Sequence, residues 1–310
     1  MPFDILPFRL RSRFNQRRHD AVCRPVLNAP PIVTAHDGLV IFSMIGTAVL
    51  LPYLVAVKSL WHALRRGRIM ILSDGTLTQT DRALLTEHCG APEIIEIADV
   101  DTGSFPKGGT WERLLTILDW RADDYMIQLD SDTVTLGPLP EVVDAIAANR
   151  SFTLLGGPQW DIGALTCTAF RPPDVLPESA RDHIQTHMER ALAQITDADR
   201  LRYIRGCSGF TGFARGSGGR ALAGQFARDM AGLLGSEAMH QWGSEQVTSS
   251  FLIANDADPL LLPYARYGNY WGEAWRADCR FMHFVGAHRH DGTAYRDATR
   301  AAIDAMNAPG

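Results

Sequence analysis

The amino-acid sequence predicts an α/β fold in which helices flank a mostly parallel central sheet. Continuously apolar runs recur along the first half of the 310-residue chain, as is typical of strands buried on both faces of a sheet. Each run is followed by a longer segment with apolar residues at helical spacing. Strand–helix units that alternate in this way build parallel sheets with right-handed crossovers. A hydrophobic content of 46% with 21% charged residues indicates a globular chain with a sizeable core.

The first half, residues 33–150, contains the regular strand–helix units. Residues 1–32 before it are predicted to be an irregular arm, because they hold five prolines and little periodicity. Strands are predicted at LVIFSMIG, RIMILSDG, EIIEIADV and DYMIQLDSD. Helices are predicted at 51–66, TQTDRALLTEHCG and TWERLLTILDW. A cap at Thr78 or Thr80 fits the start of the second of these helices.

The second half, residues 151–310, is less regular, and we predict that it packs with the first as a single domain. SFTLLGGPQW, SGFTGFARG and CRFMHFVG are predicted strands. SARDHIQTHMERALAQI, GGRALAGQFARDMAGLLG and about 293–306 are predicted helices. Ligands of such sheets bind beyond the carboxyl ends of the strands, so the residues at those ends are the first candidates for a site.

Residues 39–57 form a stretch of 19 residues without a charge, which is long enough to span a bilayer, and an Arg-rich segment precedes them. The alternative divides the stretch into a buried strand and an amphipathic helix that begins near Pro52. We favour the alternative because the apolar periodicity continues past Lys58 through Leu60, Trp61 and Leu64.

The expected location is the cytoplasm, with peripheral contact to the inner face of a membrane through the Arg-rich N-terminus. The apolar run begins too late for a secretory signal. The five cysteines are widely spaced and odd in number, which fits a reducing compartment better than a disulfide framework. A net charge of −5 gives no indication of a nucleic-acid partner.

Asp130 and Asp132 stand one residue apart where the fourth predicted strand ends. If the strand geometry continues, both carboxylates face the same side and repel each other unless a cation lies between them. Carboxylate oxygens suit Mg²⁺ or Mn²⁺. The alternative is a solvated turn, where Asp and Ser are also favoured.

Two further patterns are better explained structurally. His183 and His187 are four residues apart, a spacing that can bind metal, but no other ligand is near them in sequence. RGSGGR at 215–220 is rich in glycine, yet it lacks the lysine and the preceding strand of a phosphate-binding loop.

Short motifs over about residues 38–291 resemble, in order, those of GT-A glycosyltransferases, above all the retaining family 8 of the glycogenin and lipopolysaccharide galactosyltransferase type. The motifs are RIMILSDGTLTQTDRALL, TWERLL, YMIQLDSDTVTLGPLPEV, SGFTGFARG, GSEQVTSSFL and MHFVGAHRH. Several positions depart from the family pattern: SMIGTA lacks its acidic residue, Cys207 stands for Asn, Glu245 for Asp, Arg289 for Lys and His290 for Pro.

The resemblance implies a GT-A fold and a sugar transfer that depends on Mn²⁺ or Mg²⁺. The donor would be a nucleotide-sugar, with UDP-sugar the expected one, the acceptor a glycan, lipid or protein, and the outcome retention. Asp130, Asp132 and His283 would bind the metal. Arg113, Arg289, Lys107, Gly286, Ser131 and Gly46 would bind the donor. Gln246 and Glu245 would act at the sugar.

His283 is also singled out by its surroundings, because an imidazole inside the apolar run RFMHFVG needs a partner when it is buried. By contrast, Arg113 could instead form a surface ion pair, and Glu245 and Gln246 could simply open a helix.

Two other functions remain open at this stage. A haloacid dehalogenase-type phosphatase also uses a strand that ends in Asp-x-Asp, with the first Asp as nucleophile. That motif normally lies on the first strand of the chain, whereas three predicted strands precede it here. A degenerate sugar-nucleotide fold that only binds is the second alternative, motivated by the departures from the family pattern.

Overall fold

The computed structural model describes residues 8–172, 183–216, 219–273 and 278–308. The helices of these ranges are α1 Phe8–Cys23, α2 Leu50–Leu64, α3 Gln79–His88, α4 Trp111–Trp120, α5 Pro140–Ala147, α6 Ile184–Ala191, α7 Ala221–Leu234, α8 Ser244–Asn255 and α9 Ala294–Asn307. The strands are β1 Leu39–Ile45, β2 Arg68–Ser73, β3 Glu93–Glu96, β4 Tyr125–Leu129, β5 Thr133–Thr135, β6 Phe152–Leu155, β7 Leu165–Thr166, β8 Arg202–Tyr203, β9 Gly206–Phe213, β10 Leu260–Leu261, β11 Tyr267–Tyr270 and β12 Phe281–Phe284.

The central sheet has seven strands in the order β10-β6-β9-β4-β1-β2-β3. Strands β4, β1, β2 and β3 run parallel, as do β10 and β6. Strand β9 is antiparallel to both of its neighbours. The expected mostly parallel sheet flanked by helices is therefore confirmed, with β9 as the antiparallel strand in its middle.

A second sheet, in the order β11-β12-β5, lies beside the carboxyl end of β4. Strand β5 follows β4 after a short turn, and β12 pairs with β5 in antiparallel orientation. Because β12 comes from near the C-terminus, this sheet brings the end of the chain next to the residues that follow β4.

The core occupies both faces of the central sheet. Alternate side chains of β1 point to opposite faces, so that Leu39 and Ile41 pack into one apolar cluster while Val40 and Phe42 pack into the other. Helices α2 and α9 cover the first face, and α4, α7 and α8 cover the second. Burial on both faces explains why β1 and β4 are apolar without alternation.

The prediction of an irregular N-terminal arm is wrong for Phe8–Cys23, which forms a helix, and for Arg24–Asn28, which forms a short 3-10 helix, whereas residues 29–32 are irregular. The five prolines of residues 1–32 stand before and after α1, and α1 itself contains none. The helix is stabilised by packing, which periodicity alone does not reveal. The ring of His19 stacks on Tyr295 of α9 at 3.7 Å, and its Nε2 lies 3.0 Å from Thr299 Oγ1.

Residues 39–57 divide as the favoured alternative predicted, into β1 and the first part of α2. The segment Thr47–Leu64 is by length and composition apolar enough to cross a membrane, but 61% of it is buried inside the protein. Helix α2 packs on α9 and β5, which accounts for its apolar character without a bilayer.

Candidate active site

The site is built at the carboxyl end of β4. Strand geometry does not persist there: β4 ends at Leu129, and a turn at Ser131 and Asp132 leads into β5. The backbone N–H of Asp130 donates to the carbonyl of Gly209 at 2.9 Å. The two carboxylates therefore converge because of this turn and the neighbouring strand. They do not converge in the way predicted, as side chains on one face of a continuous strand.

His283 lies in β12, directly opposite Thr133 of β5. The backbone N–H of Phe284 donates to the carbonyl of Asp132 at 2.8 Å, which fixes the register next to the turn. His283 Nε2 is 3.2 Å from Asp132 Oδ1 and 3.9 Å from Asp130 Oδ2. The predicted proximity of the imidazole to both carboxylates is confirmed.

The orientation of the His283 ring is set by Asn269 of β11. The side-chain amide of Asn269 donates from Nδ2 to the carbonyl of Leu155 at 2.8 Å, so its oxygen faces His283 Nδ1 at 3.0 Å. Nδ1 is thereby assigned a proton. In the ion-free protein Nε2 also carries a proton and faces Asp132, and loss of that proton would expose the lone pair that binds a metal. Cys207 Sγ lies 3.4 Å from the same Nδ1. The sequence alone does not identify Asn269 as a partner of His283, because only the strand register places the two residues opposite each other.

Arginines neutralise the two carboxylates. Arg113 donates from one terminal nitrogen to Asp130 at 2.6 Å and from the other to Glu245 at 3.1 Å. Arg289 pairs with Asp132 and donates from Nε to the carbonyl of Phe284 at 3.1 Å. Arg113 is buried, so it is not the surface ion-pair former of the alternative interpretation. The terminal nitrogens of Arg113 already have carboxylate partners, whereas Arg289 is 34% exposed at the rim.

The electrostatics of the buried groups follow from these pairs. Burial by itself disfavours the charged forms of His283 and Asp132, but their mutual attraction outweighs it. The pKa of His283 is therefore raised well above its ordinary value, and the pKa of Asp132, which Arg289 also lowers, falls below its own. Burial raises the pKa of Glu245, and Arg113 only partly offsets that effect.

Glu245 and Gln246 lie in the first turn of α8. Glu245 Oε2 accepts from Thr110 Oγ1 at 2.9 Å, while its buried Oε1 has no hydrogen-bond partner among the described residues. The side chain of Gln246 has only long contacts, 3.5 Å from Ser208 Oγ and 3.4 Å from Gln185 Oε1. Both residues therefore retain hydrogen-bonding capacity that a ligand could satisfy.

These residues line a cleft of about 490 Å³, within the range of small-molecule sites. The predicted site residues in its wall are Arg113, Asp130, Asp132, Glu245, Gln246, His283, Gly286 and Arg289. The other predicted donor-binding residues, Ser131, Lys107 and Gly46, are not in this wall. Lys107 is exposed on its loop. Gly46 lies against the Asp74 carboxylate, where an added Cβ would be 2.1 Å from Asp74 Oδ2.

The two patterns judged structural stay so as far as the structure describes them. His183 caps α6 by accepting from the N–H of Gln185 at 3.2 Å. Glu189, close to His187 in sequence, is buried and pairs with Arg205. The glycine-rich RGSGGR lies partly outside the described residues, and so does the beginning of the predicted helix SARDHIQTHMERALAQI.

The donor set of Asp130, Asp132 and His283 fits a divalent cation. One ligand atom from each residue lies within 4.8 Å of the others, and within the described ranges this is the group of acidic, His and Cys residues that could hold a metal ion. Two carboxylates with one imidazole suit Mn²⁺ and Mg²⁺. With Nδ1–H facing Asn269, Nε2 is the nitrogen that would bind the ion once it has lost its own proton, which is the usual arrangement of a metal-binding histidine.

Comparison with known proteins identifies the fold. No family model and no curated protein matches the sequence. Among solved structures, the apo structure of the bifunctional glycosyltransferase WbbM matches 90% of this chain with a TM-score of 0.50 and 15% identity, and this chain spans about half of WbbM, 51% of its length. The galactosyltransferase LgtC in complex with donor and acceptor sugar analogues matches 87% of this chain and 97% of its own, with a TM-score of 0.47 and 12% identity.

The fold is therefore that of GT-A glycosyltransferases, as the motifs implied. The haloacid dehalogenase alternative loses its basis, since its Asp-x-Asp belongs to the first strand of a different fold, and here the motif follows the fourth strand of the chain.

Proposed function

We propose that this protein is a metal-dependent glycosyltransferase that moves a sugar from a nucleotide-sugar, with UDP-sugar the expected donor, to an acceptor hydroxyl. The observation that carries the proposal is the cleft in which Asp130, Asp132 and His283 meet within metal-binding distance beside Gln246. The GT-A fold supports it independently of those side chains.

The reaction breaks the bond between the anomeric carbon and a diphosphate oxygen and forms a bond to the acceptor oxygen. Negative charge therefore develops on the departing diphosphate, and the acceptor proton passes to it. A cation bound by Asp130, Asp132 and His283 would stabilise that charge as a Lewis acid. Arg289, at the rim and partly exposed, is placed to donate to the phosphates once Asp132 turns to the cation.

Gln246 would lie under the sugar, where its amide oxygen can stabilise the positive charge that develops at the anomeric centre. Glu245 Oε1, which has no hydrogen-bond partner among the described residues, would accept a hydrogen bond from a sugar hydroxyl. Arg113 would hold Asp130 and Glu245 in place, because its two terminal nitrogens bridge them. We further propose retention at the anomeric carbon, on the basis of the motif resemblance.

The test is a donor-hydrolysis and transfer assay with a panel of nucleotide-sugars, with Mn²⁺, with Mg²⁺ and with EDTA. We expect release of UDP from at least one UDP-sugar, dependent on Mn²⁺ or Mg²⁺ and lost in Asp130→Asn and in Gln246→Ala. Metal-dependent binding without any release would instead favour the degenerate binding protein. Failure of every nucleotide-sugar to bind would overturn the proposal.

A further inference from the structure

Two tryptophans at the mouth of the cleft are unusually exposed. Trp242 is 72% exposed and Trp271 is 52% exposed, whereas Trp111 and Trp160 are buried and Trp61 and Trp120 are half-buried. Large aromatic side chains that remain in water beside a polar cleft mark a binding surface, because exposing them stabilises nothing in the free protein. Both line the cleft that holds the candidate metal ligands.

Each indole is held by a histidine from another segment. Trp242 packs edge-to-face against His183, with ring centroids 5.6 Å apart. Gly243 permits this contact: its φ is +106°, and a Cβ there would lie 2.6 Å from His183 Cε1. The rings of Trp271 and His288 are arranged in a T shape, with their centroids 6.4 Å apart. The two rings are therefore positioned before any ligand arrives, which lowers the entropy cost of binding.

The two tryptophans lie next to different parts of the proposed chemistry. Trp242 stands two residues before α8 and four residues before Gln246. Trp271 directly follows β11, in which Asn269 orients His283. The wall of the same cleft also contains Gln185, Ser208 and Arg205, whose side chains can hydrogen-bond to hydroxyls.

We propose that Trp242 and Trp271 form the acceptor site and that the acceptor is a saccharide whose pyranose ring stacks on an indole. The inference rests on the proposed function and adds the acceptor class. A pyranose has an apolar face of C–H bonds, which pack on the negative face of an aromatic ring, and a rim of hydroxyls. The cleft offers both kinds of surface. A lipid tail would gain from the indoles but would desolvate the polar wall without compensation.

This placement of the acceptor would allow the transfer reaction to take place. One hydroxyl of the stacked acceptor sugar would face the anomeric carbon of the donor near Gln246. The acceptor oxygen forms the new glycosidic bond, the bond to the diphosphate oxygen breaks, and the acceptor proton leaves with the diphosphate. Trp242 and Trp271 take no part in these bond changes, so they are positioning residues for the acceptor.

The test titrates saccharides into the full-length protein with UDP and Mn²⁺ present, and it measures quenching of tryptophan fluorescence and heat of binding. The probes are the methyl pyranosides of glucose, galactose, mannose and N-acetylglucosamine, with lactose and maltose. We expect at least one to bind the native protein, and Trp242→Ala and Trp271→Ala each to weaken that binding by about tenfold. Trp242→Phe should retain most of it.

The control variant is Trp61→Phe, because Trp61 lies on α2 outside the cleft and its indole nitrogen has no hydrogen-bond partner among the described residues. It should leave saccharide binding unchanged. UDP binding in the presence of Mn²⁺ should be the same in all four variants, which shows that each still folds and holds its donor.

The outcomes separate this inference from the proposed function. If UDP binds with Mn²⁺ but no saccharide binds, or if both alanine variants bind saccharides like the native protein, the acceptor inference is overturned. Preferential binding of dodecyl phosphate or of a tyrosine-containing peptide at these indoles would overturn it as well. If UDP fails to bind the native protein, UDP-sugar is excluded as the donor, and if no nucleotide-sugar binds, the proposed function fails. In either case saccharide titration without UDP still tests the tryptophan site.

Discussion

At the scale of single residues, Gly209 decides whether His283 can reach the carboxylates. It lies in β9 next to the ring, and a Cβ at this position would be 2.3 Å from His283 Cε1 and 2.4 Å from its Nδ1. A side chain there must displace the imidazole, since neither ring atom can move without the whole ring. The glycine thus stabilises the site by leaving room for the ring.

Gly209→Ala should therefore weaken Mn²⁺ binding by at least about tenfold although every proposed ligand remains, because the ring is pushed away from Asp132. Isothermal titration calorimetry with Mn²⁺ measures this loss of affinity. The matched control is Gly232→Ala on the exposed surface of α7, where nothing lies within 4 Å of the added Cβ. It should leave Mn²⁺ affinity unchanged and stabilise the protein by about 0.5–1 kcal/mol through helix propensity. Equal Mn²⁺ affinity in native protein and Gly209→Ala would contradict the site geometry.

Arg289 is the second residue with a separable effect. It pairs with Asp132, and its side chain is 34% exposed at the cleft rim. Arg289→Ala should weaken UDP binding by about 1–3 kcal/mol through loss of a charge-assisted contact to phosphate. Binding of uridine, which lacks the diphosphate, should not change. Unchanged affinity for UDP would remove Arg289 from the donor site.

At the scale of elements, Lys58 of α2 ties the N-terminal segment to the body of the protein. Its Nζ donates to the carbonyls of Ala29 at 2.7 Å and Val26 at 3.2 Å, and it lies 3.3 Å from His88 Nδ1. Burial lowers the pKa of Lys58 from 10.5 to about 8. The buried amine thus satisfies one carbonyl within the short 3-10 helix Arg24–Asn28 that follows α1 and one directly after it.

The sign of the resulting pH dependence follows from proton counting. Below pH 8 both folded and unfolded states carry the proton, so Lys58 adds no slope. Between about pH 8 and 10.5 the unfolded state binds more protons, so the Lys58 contribution to stability rises with pH. Denaturant unfolding at several pH values should show the native protein gaining stability relative to Lys58→Met across this window. A difference between the two that stays constant from pH 8 to 10.5 would refute the lowered pKa.

Helices α3 and α1 show where local sequence signals are sufficient to predict a helix and where they are not. Helix α3 begins with Thr78 as cap, and Thr78 and Asp81 bond reciprocally in a capping box. Helix α1 shows the opposite case. It carries no acidic residue in its first turn and no basic residue in its last, and its charged sequence gives little amphipathic signal. Its His19 reaches α9, which lies at the other end of the chain.

At the scale of the whole molecule, metal binding should stabilise the folded state. A ligand that binds only the native protein adds about 2.7 kcal/mol at one hundred times its Kd. The candidate metal site combines residues from β12 and from the flanks of β4 and β5, so it forms only when the two sheets are together. Thermal unfolding with and without Mn²⁺ should show a higher midpoint with the ion, and Asp132→Asn should abolish the difference.

This stabilisation should also depend on pH in a defined direction. The raised pKa of His283 means that its charged form stabilises the ion-free protein fully below about 6.5 and that this contribution is lost as pH rises through the raised value. Mn²⁺ needs the neutral imidazole, so its affinity should increase with pH over the same interval. The gap in unfolding midpoint with and without Mn²⁺ should therefore widen as pH rises from 6.5. A gap independent of pH would exclude His283 as a ligand.

Local sequence patterns suffice to predict the layers of this protein and part of its candidate site. Strands β1 and β4 were predictable because burial on both faces demands an unbroken apolar run. Asp130 and Asp132 were predictable as a candidate pair because two carboxylates this close at a strand end repel each other unless a cation lies between them. His283 was predictable because a polar ring inside an apolar strand must find a partner.

The distant residues that complete the candidate site are brought together by strand register and packing. Asn269 reaches His283 through strand register, Gly209 accommodates the ring across the sheet, and Trp242 and Trp271 border the cleft from separate loops. No periodicity encodes these relations, because each depends on how strands from both halves of the chain align. A local pattern reports which face of an element is buried, whereas the contacts of a site depend on the packing of elements that are remote in sequence.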